Sequence, residues 1–202
     1  MNKQNILINS IGFIFLLFGI TAIIDRISKF ETGLAPILWM SYICLIIIGI
    51  GILKKDSSLI ASQLCIIGIP YLFWNIDFFY HLITNSRLLG ITDYFFVPGP
   101  IIGKIISSQH IFNLPLSILV ICLIGLKRKD FWIISLIQVT IVFFISRIAT
   151  NYSENVNCVY HNCANFNFSL WYPLEWFLSY AIMIGLTSLI LIKYSKKRKK
   201  KK

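Results

Sequence analysis

The sequence predicts an all-α membrane protein, a polytopic bundle of about six transmembrane helices, and three observations support this fold class. Of its 202 residues, 57% are hydrophobic and only 13% are charged, and its mean hydropathy is +0.77. A soluble domain of this length leaves roughly half of its residues in contact with water, so it could not bury so much apolar surface. The charged residues also fall in short stretches between long uncharged runs, as they do in polytopic membrane proteins.

Six predominantly apolar runs are candidates to span the hydrocarbon core of a bilayer, which takes about 20 residues. They are Ile6–Ile24, Gly33–Leu53, Ser58–Thr84, Ile111–Leu126, Phe131–Ser146 and Leu174–Ile192. The fourth and fifth runs are short, so we expect their helices to extend into neighbouring polar residues. No small-residue cleavage site follows the first run, which indicates a retained helix rather than a signal peptide. The sequence therefore predicts one transmembrane domain over residues 1–195 and a polybasic tail over residues 196–202.

The distribution of Lys and Arg predicts that both ends of the chain face the cytoplasm, because cytoplasmic flanks carry an excess of basic residues. With the N-terminus inside, these flanks hold 14 of the 19 basic residues, namely Lys3, Lys54, Lys55, Lys127, Arg128, Lys129, Lys193 and the seven basic residues of the tail. The opposite side keeps Arg26, Lys29, Arg87, Lys104 and Arg147. Directly after a span, the tail is interpreted as an anchor to anionic lipid headgroups rather than a nucleic-acid-binding segment. We expect an integral protein of the cell membrane of a prokaryote.

Polar and ionisable residues gather at the predicted outer ends of four spans. Trp74, Asp77 and His81 are spaced by three and four residues, which places them on one helix face. The others are His110, Arg147, Asn151 and Glu175. Ionisable residues beside a bilayer suggest a functional site, although a purely structural role for these residues stays open. We expect a shallow pocket open to the outer leaflet, with Asn151 as a further binding residue. The residues expected to line it are Trp74, Asp77, His81, His110, Arg147 and Glu175.

In the catalytic interpretation, His110 is the general base, and His81 with Asp77 is its orienting or relay pair. The substrate is then a lipid or another apolar molecule, since the pocket would be entered from the bilayer. We expect membrane lipids as partners, with no nucleic acid and no cofactor. A non-enzymatic protein, either a small transporter or a scaffold subunit of a membrane complex, is the alternative.

Two cysteines lie in the predicted outer segment from Thr150 to Tyr172. Because extracytoplasmic compartments are oxidising, a Cys158–Cys163 disulfide is the preferred interpretation. Together with His161 these thiols also offer metal ligands, but their spacing is not that of a known zinc framework, and we expect no metal.

Three resemblances arise at these residues. The first depends on three parts of the sequence: Trp74-Asn-Ile-Asp77-Phe-Phe, His110 with Pro115, and Asn155-Val-Asn-Cys-Val-Tyr160. Together they resemble a pattern in uncharacterised prokaryotic polytopic membrane proteins, and this resemblance implies no activity. The run His110-Ile-Phe-Asn-Leu-Pro115-Leu resembles the histidine segment of the androgen-induced membrane lipid hydrolases, six-span enzymes with a Thr nucleophile and a His. That resemblance implies His110 as the base. The family's threonine is absent here, and the second span offers Ser41 in its place, with Cys44 deeper in the span.

The third resemblance involves the start of the last span. Pro173-Leu-Glu175-Trp-Phe177 is similar to the Pro-x-Glu-Glu motif of the small membrane-bound lycopene cyclases, which protonate a carotenoid end group. The second Glu of that motif is replaced by Trp176. This resemblance implies a catalytic role for Glu175 in a lycopene-cyclase-like isomerase.

Overall fold

The structure is a computed structural model that describes residues 2–28, 35–163 and 171–199. Within these ranges the chain is helical and contains no strand, which confirms the predicted all-α bundle. The helices are α1 (Lys3–Ser28), α2 (Met40–Leu53), α3 (Ser57–Thr84), α4 (Asp93–Phe96), α5 (Ile101–Ser107), α6 (Gln109–Ile124), α7 (Phe131–Ala149) and α8 (Tyr172–Lys199). The described ranges also contain two short 3-10 turns, at Ala35–Leu38 and Val156–Cys158.

Among the described residues, five helical segments are long and apolar enough to cross a membrane, as expected of an integral membrane protein. They are Lys3–Ser28, Ser57–Thr84, Ile101–Ile124, Phe131–Ala149 and Tyr172–Ser195. Large apolar side chains on their outer faces are exposed, including Ile148 at 85%, and lipid is the solvent that suits such surfaces. The third segment combines α5 with α6, and it begins well before the predicted fourth span, which starts at Ile111.

The predicted second span is shorter than the sequence suggested. Helix α2 has only 14 residues, or about 21 Å at 1.5 Å per residue, against a hydrocarbon core of about 30 Å. The 3-10 turn Ala35–Leu38, which contains Pro36, occupies part of the apolar run, so the α-helix begins only at Met40. The side-chain oxygen of Asn157 then accepts the hydrogen bond from the Met40 N–H at 2.8 Å. Residues 29–34, including Lys29 and Gly33, lie outside the described part of the chain.

Helix α3 lies at the centre of the bundle and packs against α2, α6, α7 and α8, while α1 packs mainly along α2. The α1–α2 contact depends on small residues. A Cβ atom on Gly49 would come within 2.7 Å of Leu16 Cγ, and one on Gly19 within 2.7 Å of Ile46 Cγ1. Such close backbone approach is typical of membrane helix pairs, which associate through packing rather than through the hydrophobic effect.

The helices alternate in direction and so create two different ends. At the lysine end, the end that carries Lys55 and Lys127, the Lys55 ammonium donates to Asn5 at 2.9 Å and that of Lys127 donates to the Lys55 carbonyl at 3.1 Å. At the opposite end, here called the cavity end, the described parts of the loops between α1 and α2, α3 and α5, and α7 and α8 lie together. The residues predicted to form a site lie at this second end. The predicted tail extends α8 as far as Lys199, and residues 200–202 lie outside the described part.

Candidate functional site

A cavity of about 530 Å³ opens at the cavity end of the bundle, a volume in the range of small-molecule sites. Its described lining is mostly aromatic and aliphatic and comes from α1, α2, α3, α5, α6, α8 and the intervening loops. The lining residues are Arg26, Trp39, Met40, Ser41, Tyr42, Ile66, Ile67, Pro70, Tyr71, Trp74, Gly90, Ile91, Tyr94, Ser107, His110, Asn157, Cys158, Cys163 and Tyr180. The structure therefore brings together three predicted site residues: Ser41, Trp74 and His110.

The polar groups of this cavity include one cationic side chain and several hydroxyl groups. Arg26 is the single Lys, Arg, Asp or Glu among the described lining residues. Its Nε lies 3.9 Å from the Asp25 carboxylate and makes no hydrogen bond within the described chain. Tyr42, Tyr94 and Tyr180 add hydroxyl groups to the lining. The cavity therefore suits a molecule whose polar part accepts hydrogen bonds or is negatively charged.

His110 is held between aromatic rings at the cavity wall. Its imidazole stacks on Trp74 with ring centroids 4.7 Å apart and packs against the Tyr71 ring at 4.5 Å. The Nδ1 atom lies 2.7 Å from the Ser107 carbonyl oxygen. Because a carbonyl can only accept, this contact assigns the proton to Nδ1 and leaves Nε2 as the acceptor nitrogen. The Gln109 amide nitrogen lies 3.3 Å from that Nε2.

A buried row of polar side chains on α6 fixes this helix against α3, and the sequence analysis missed it. Gln109, Asn113 and Ser117 are spaced by four residues and are fully buried. The Tyr71 hydroxyl donates to Gln109 Oε1 at 2.9 Å, Asn113 Nδ2 donates to the same oxygen at 3.3 Å, and Ser117 Oγ donates to Asn113 Oδ1 at 3.3 Å. The spacing of four in an apolar helix was the signal that could have revealed this row.

Asp77 organises a loop rather than the cavity. One carboxylate oxygen accepts the backbone N–H groups of Leu89 at 2.7 Å and Gly90 at 3.3 Å, and the other accepts both the N–H and the hydroxyl of Thr92 at 2.8 Å. The side chain is almost completely buried, with 1% of the residue exposed. Four donors fill the acceptor capacity of this carboxylate, and Asp77 does not line the cavity.

His81, the predicted neighbour of Asp77, has other partners. Its ring stacks on Phe96 at a centroid distance of 3.9 Å, and its Nδ1 lies 3.8 Å from the Asp93 carboxylate. Asp93 in turn pairs with Arg87 at 2.9 Å. His81 is therefore part of a surface cluster with the short helix α4, not of the cavity lining around His110.

Arg147 and Asn151 stabilise the loop that joins α7 to α8. The Arg147 guanidinium donates twice to the Val159 carbonyl, at 3.0 and 2.9 Å, and lies over the Tyr160 ring. The Asn151 side chain accepts the backbone N–H groups of Ser153 and Glu154, both at 3.1 Å. Glu175 is buried in the first turn of α8. These three predicted site residues surround the loop but do not line the cavity.

The same loop forms one wall of the cavity through Asn157 and two cysteines. The structure contains the Cys158–Cys163 disulfide, with an S–S distance of 2.05 Å. Asn157 holds this wall to the bundle, because its amide donates to the Leu38 carbonyl at 2.8 Å and to Ser146 Oγ at 3.1 Å. Within the described ranges, no group of three His, Cys, Asp or Glu residues could hold a metal ion.

Comparisons with known proteins give no relative for this chain: no protein-family model, no curated protein and no solved structure matches it. None of the three resemblances is tested by this outcome. The geometry of the cavity is therefore the basis for assigning a function.

Proposed function

We propose that this protein binds one amphipathic, lipid-like molecule in the cavity at the cavity end. The observation that carries this proposal is the lining itself: an apolar and aromatic space of about 530 Å³ with one arginine, several tyrosines and no carboxylate in its described wall. Pockets with a mostly apolar lining and a few placed polar groups are the usual form of small-molecule sites. In a bundle that presents apolar side chains to its surroundings, the most accessible ligands are molecules dissolved in the bilayer.

The lining suggests how such a ligand is oriented. Ile66, Ile67 and Pro70 of α3 contribute aliphatic wall, against which an apolar tail packs. The Arg26 guanidinium and the Tyr42 hydroxyl contribute donors, which favour a head with phosphate, carboxylate or carbonyl oxygens over a cationic head.

A second candidate function is hydrolysis of the bound lipid. Ser41 and His110 line the same cavity, and the contact of His110 Nδ1 with Ser107 leaves the other ring nitrogen as an acceptor. In this activity Ser41 is the nucleophile and His110 the general base. Its signature is a Ser41→Ala protein that still retains lipid but releases no fatty acid.

We further propose that the cavity end faces the extracytoplasmic side of the cell membrane of a prokaryote, with both termini in the cytoplasm. The basic residues of the lysine end and the disulfide at the opposite end support this orientation. Alkaline phosphatase fused after Asn85 should be active, and the same enzyme fused after Lys55 should be inactive. The opposite pattern would reverse the proposed orientation.

The binding proposal is tested by filling the cavity. In Ile67→Trp a larger side chain occupies the space beside α3, whereas in the control Ile137→Trp the same change is made at an exposed α7 position outside this cavity. Native mass spectrometry of protein released from lipid nanodiscs should show one retained lipid for wild type and control. We expect at least a tenfold lower bound fraction for Ile67→Trp, with thermal unfolding confirming that it is folded. Equal lipid retention by all three proteins would overturn the proposal.

A further inference from the structure

The Cys158–Cys163 disulfide is accessible from two directions. Both cysteines line the cavity, while Cys163 is also exposed and Cys158 is half-buried. The backbone next to Cys158 is held independently of the disulfide, because the Tyr172 hydroxyl donates to the Cys158 carbonyl at 2.6 Å and Trp176 Nε1 donates to the Asn157 carbonyl at 3.0 Å. If the disulfide is reduced, these two hydrogen bonds therefore still hold the backbone at Cys158 in the cavity wall.

The surroundings of the disulfide favour thiol chemistry. The Asn155 amide donates to Cys163 Sγ at 3.6 Å and lies 3.1 Å from His161 Nδ1, and a donor beside sulfur stabilises a thiolate. Asn155, Asn157 and Cys158 all have left-handed backbone conformations, with φ of 40°, 55° and 56°. Asparagine adopts this region readily, whereas Cys158 is strained there, and such strain concentrates at functional sites.

We propose that the cavity ligand is a membrane-soluble quinone, and that the protein uses it to oxidise dithiols through the Cys158–Cys163 disulfide. This inference rests on the proposed lipid-binding function of the same cavity. A quinone has a flat ring with two carbonyl oxygens and an apolar tail. The donors Arg26 and Tyr42 suit the carbonyl oxygens, and the aromatic wall at Trp74 and His110 suits the ring.

The reaction begins at the exposed sulfur. A thiolate of an external dithiol attacks Cys163 Sγ, which forms a mixed disulfide, breaks the Cys158–Cys163 bond and leaves Cys158 as a thiolate beside the cavity. The second thiol of the dithiol then attacks the mixed disulfide, loses its proton and releases Cys163. The external molecule leaves as a disulfide, and both protein cysteines are reduced.

The quinone restores the disulfide. The Cys158 thiolate adds to a ring carbon, and the Cys163 thiolate then attacks Cys158 Sγ, which breaks the carbon–sulfur bond and transfers the electron pair to the ring. Two protons, equal in number to those lost by the dithiol, convert the ring to hydroquinone. The balance is one dithiol plus one quinone giving one disulfide plus one hydroquinone.

The test uses the full chain in nanodiscs with a decyl-substituted benzoquinone as the ligand and dithiothreitol as the dithiol. Loss of quinone absorbance should be at least tenfold faster with wild type than without protein. Cys158→Ser and Cys163→Ser should fall to the protein-free rate. Cys122→Ser is the matched control, because this cysteine lies at the lysine end beside Tyr194, and it should retain the wild-type rate.

Binding of the same quinone, followed by quenching of tryptophan fluorescence, separates this inference from the proposed function. Quinone that binds to wild type but is reduced no faster than with the two serine variants would overturn the inference, and the disulfide would be structural only. Retention of a phospholipid without any quinone binding would also overturn it, while the lipid-binding function would stand. Absence of both ligands from the cavity would overturn both proposals.

Discussion

Two polar regions at the cavity end use their hydrogen-bonding groups in opposite ways. The Asp77 carboxylate accepts four hydrogen bonds from the loop at Leu89–Thr92 and is almost completely buried. The cavity beside Arg26 and His110 contains about 530 Å³ of space, and its described lining includes this arginine and several tyrosines. An ionisable residue near the bilayer is therefore not in itself a site. A site also needs room for a ligand beside groups that still have hydrogen-bonding capacity.

The largest effect on the free energy of unfolding should come from Asp77, because its buried carboxylate accepts the hydrogen bonds that hold the loop at Leu89–Thr92. Asp77→Ala leaves the N–H groups of Leu89 and Thr92 without their acceptor, which should lower the free energy of unfolding by about 3 to 5 kcal/mol. Thermal unfolding in detergent micelles measures this loss. The control Arg87→Gln removes an exposed partner of Asp93 and should cost less than about 1 kcal/mol. Similar unfolding temperatures for the two variants would remove the distinction between the regions.

Asn157 should rank second, since it connects the cavity wall to α2 and α7. Asn157→Leu loses the hydrogen bonds to Met40, Leu38 and Ser146 and places a branched residue at φ 55°. We expect a loss of about 2 to 3 kcal/mol in the same unfolding assay. Asn151→Ala, which removes an exposed cap of the same loop, should cost about 1 kcal/mol. An Asn157→Leu protein as stable as wild type would show that the wall is held by other contacts.

A single hydrogen bond of the buried row on α6 should contribute less to the free energy of unfolding than the side chains of Asp77 and Asn157 do. Tyr71→Phe removes one donor to Gln109 Oε1, but Asn113 still donates to that oxygen. We expect a loss of about 1 kcal/mol or less in thermal unfolding, as is usual for single hydrogen bonds inside membrane bundles. A loss above about 3 kcal/mol would mean that the row acts cooperatively and that the cavity wall depends on it.

Arg26 should have the smallest effect on stability and a clear effect on binding. Arg26→Gln removes the charged donor of the cavity, so retention of a lipid with an anionic head should fall about tenfold, or about 1.4 kcal/mol. Native mass spectrometry measures the bound fraction, and the unfolding temperature should stay near that of wild type. Lys104→Gln, a change at the same end outside the cavity lining, should leave retention unchanged. Equal loss in both variants would indicate a general charge effect.

The sequence predicted the helices better than it predicted the roles of polar residues. Apolar runs determine where α1, α3, α7 and α8 lie, because lipid requires continuous helices. The run that begins at Gly33 did not form one helix, since hydropathy does not register the 3-10 turn around Pro36.

At the site, the sequence placed Ser41, Trp74 and His110 at one end of the bundle, and they do share a cavity. It paired Asp77 with His81 from their spacing, whereas the partners of Asp77 are backbone N–H groups of a loop whose conformation no residue pattern specifies. In the sequence, Arg26 served only as one of the basic residues that indicate the orientation in the membrane. The spacing of residues along α1 does not show which side chains of α2 and α3 lie near it.

The central claim, that the cavity holds a lipid-like molecule, is tested most directly by an experimental structure of the protein in lipid nanodiscs. We predict elongated density between α2, α3 and α8, with its polar end within about 4 Å of Arg26 or His110. A cavity closed by rearranged side chains of Tyr42 and Tyr180, with no density inside it, would contradict the account.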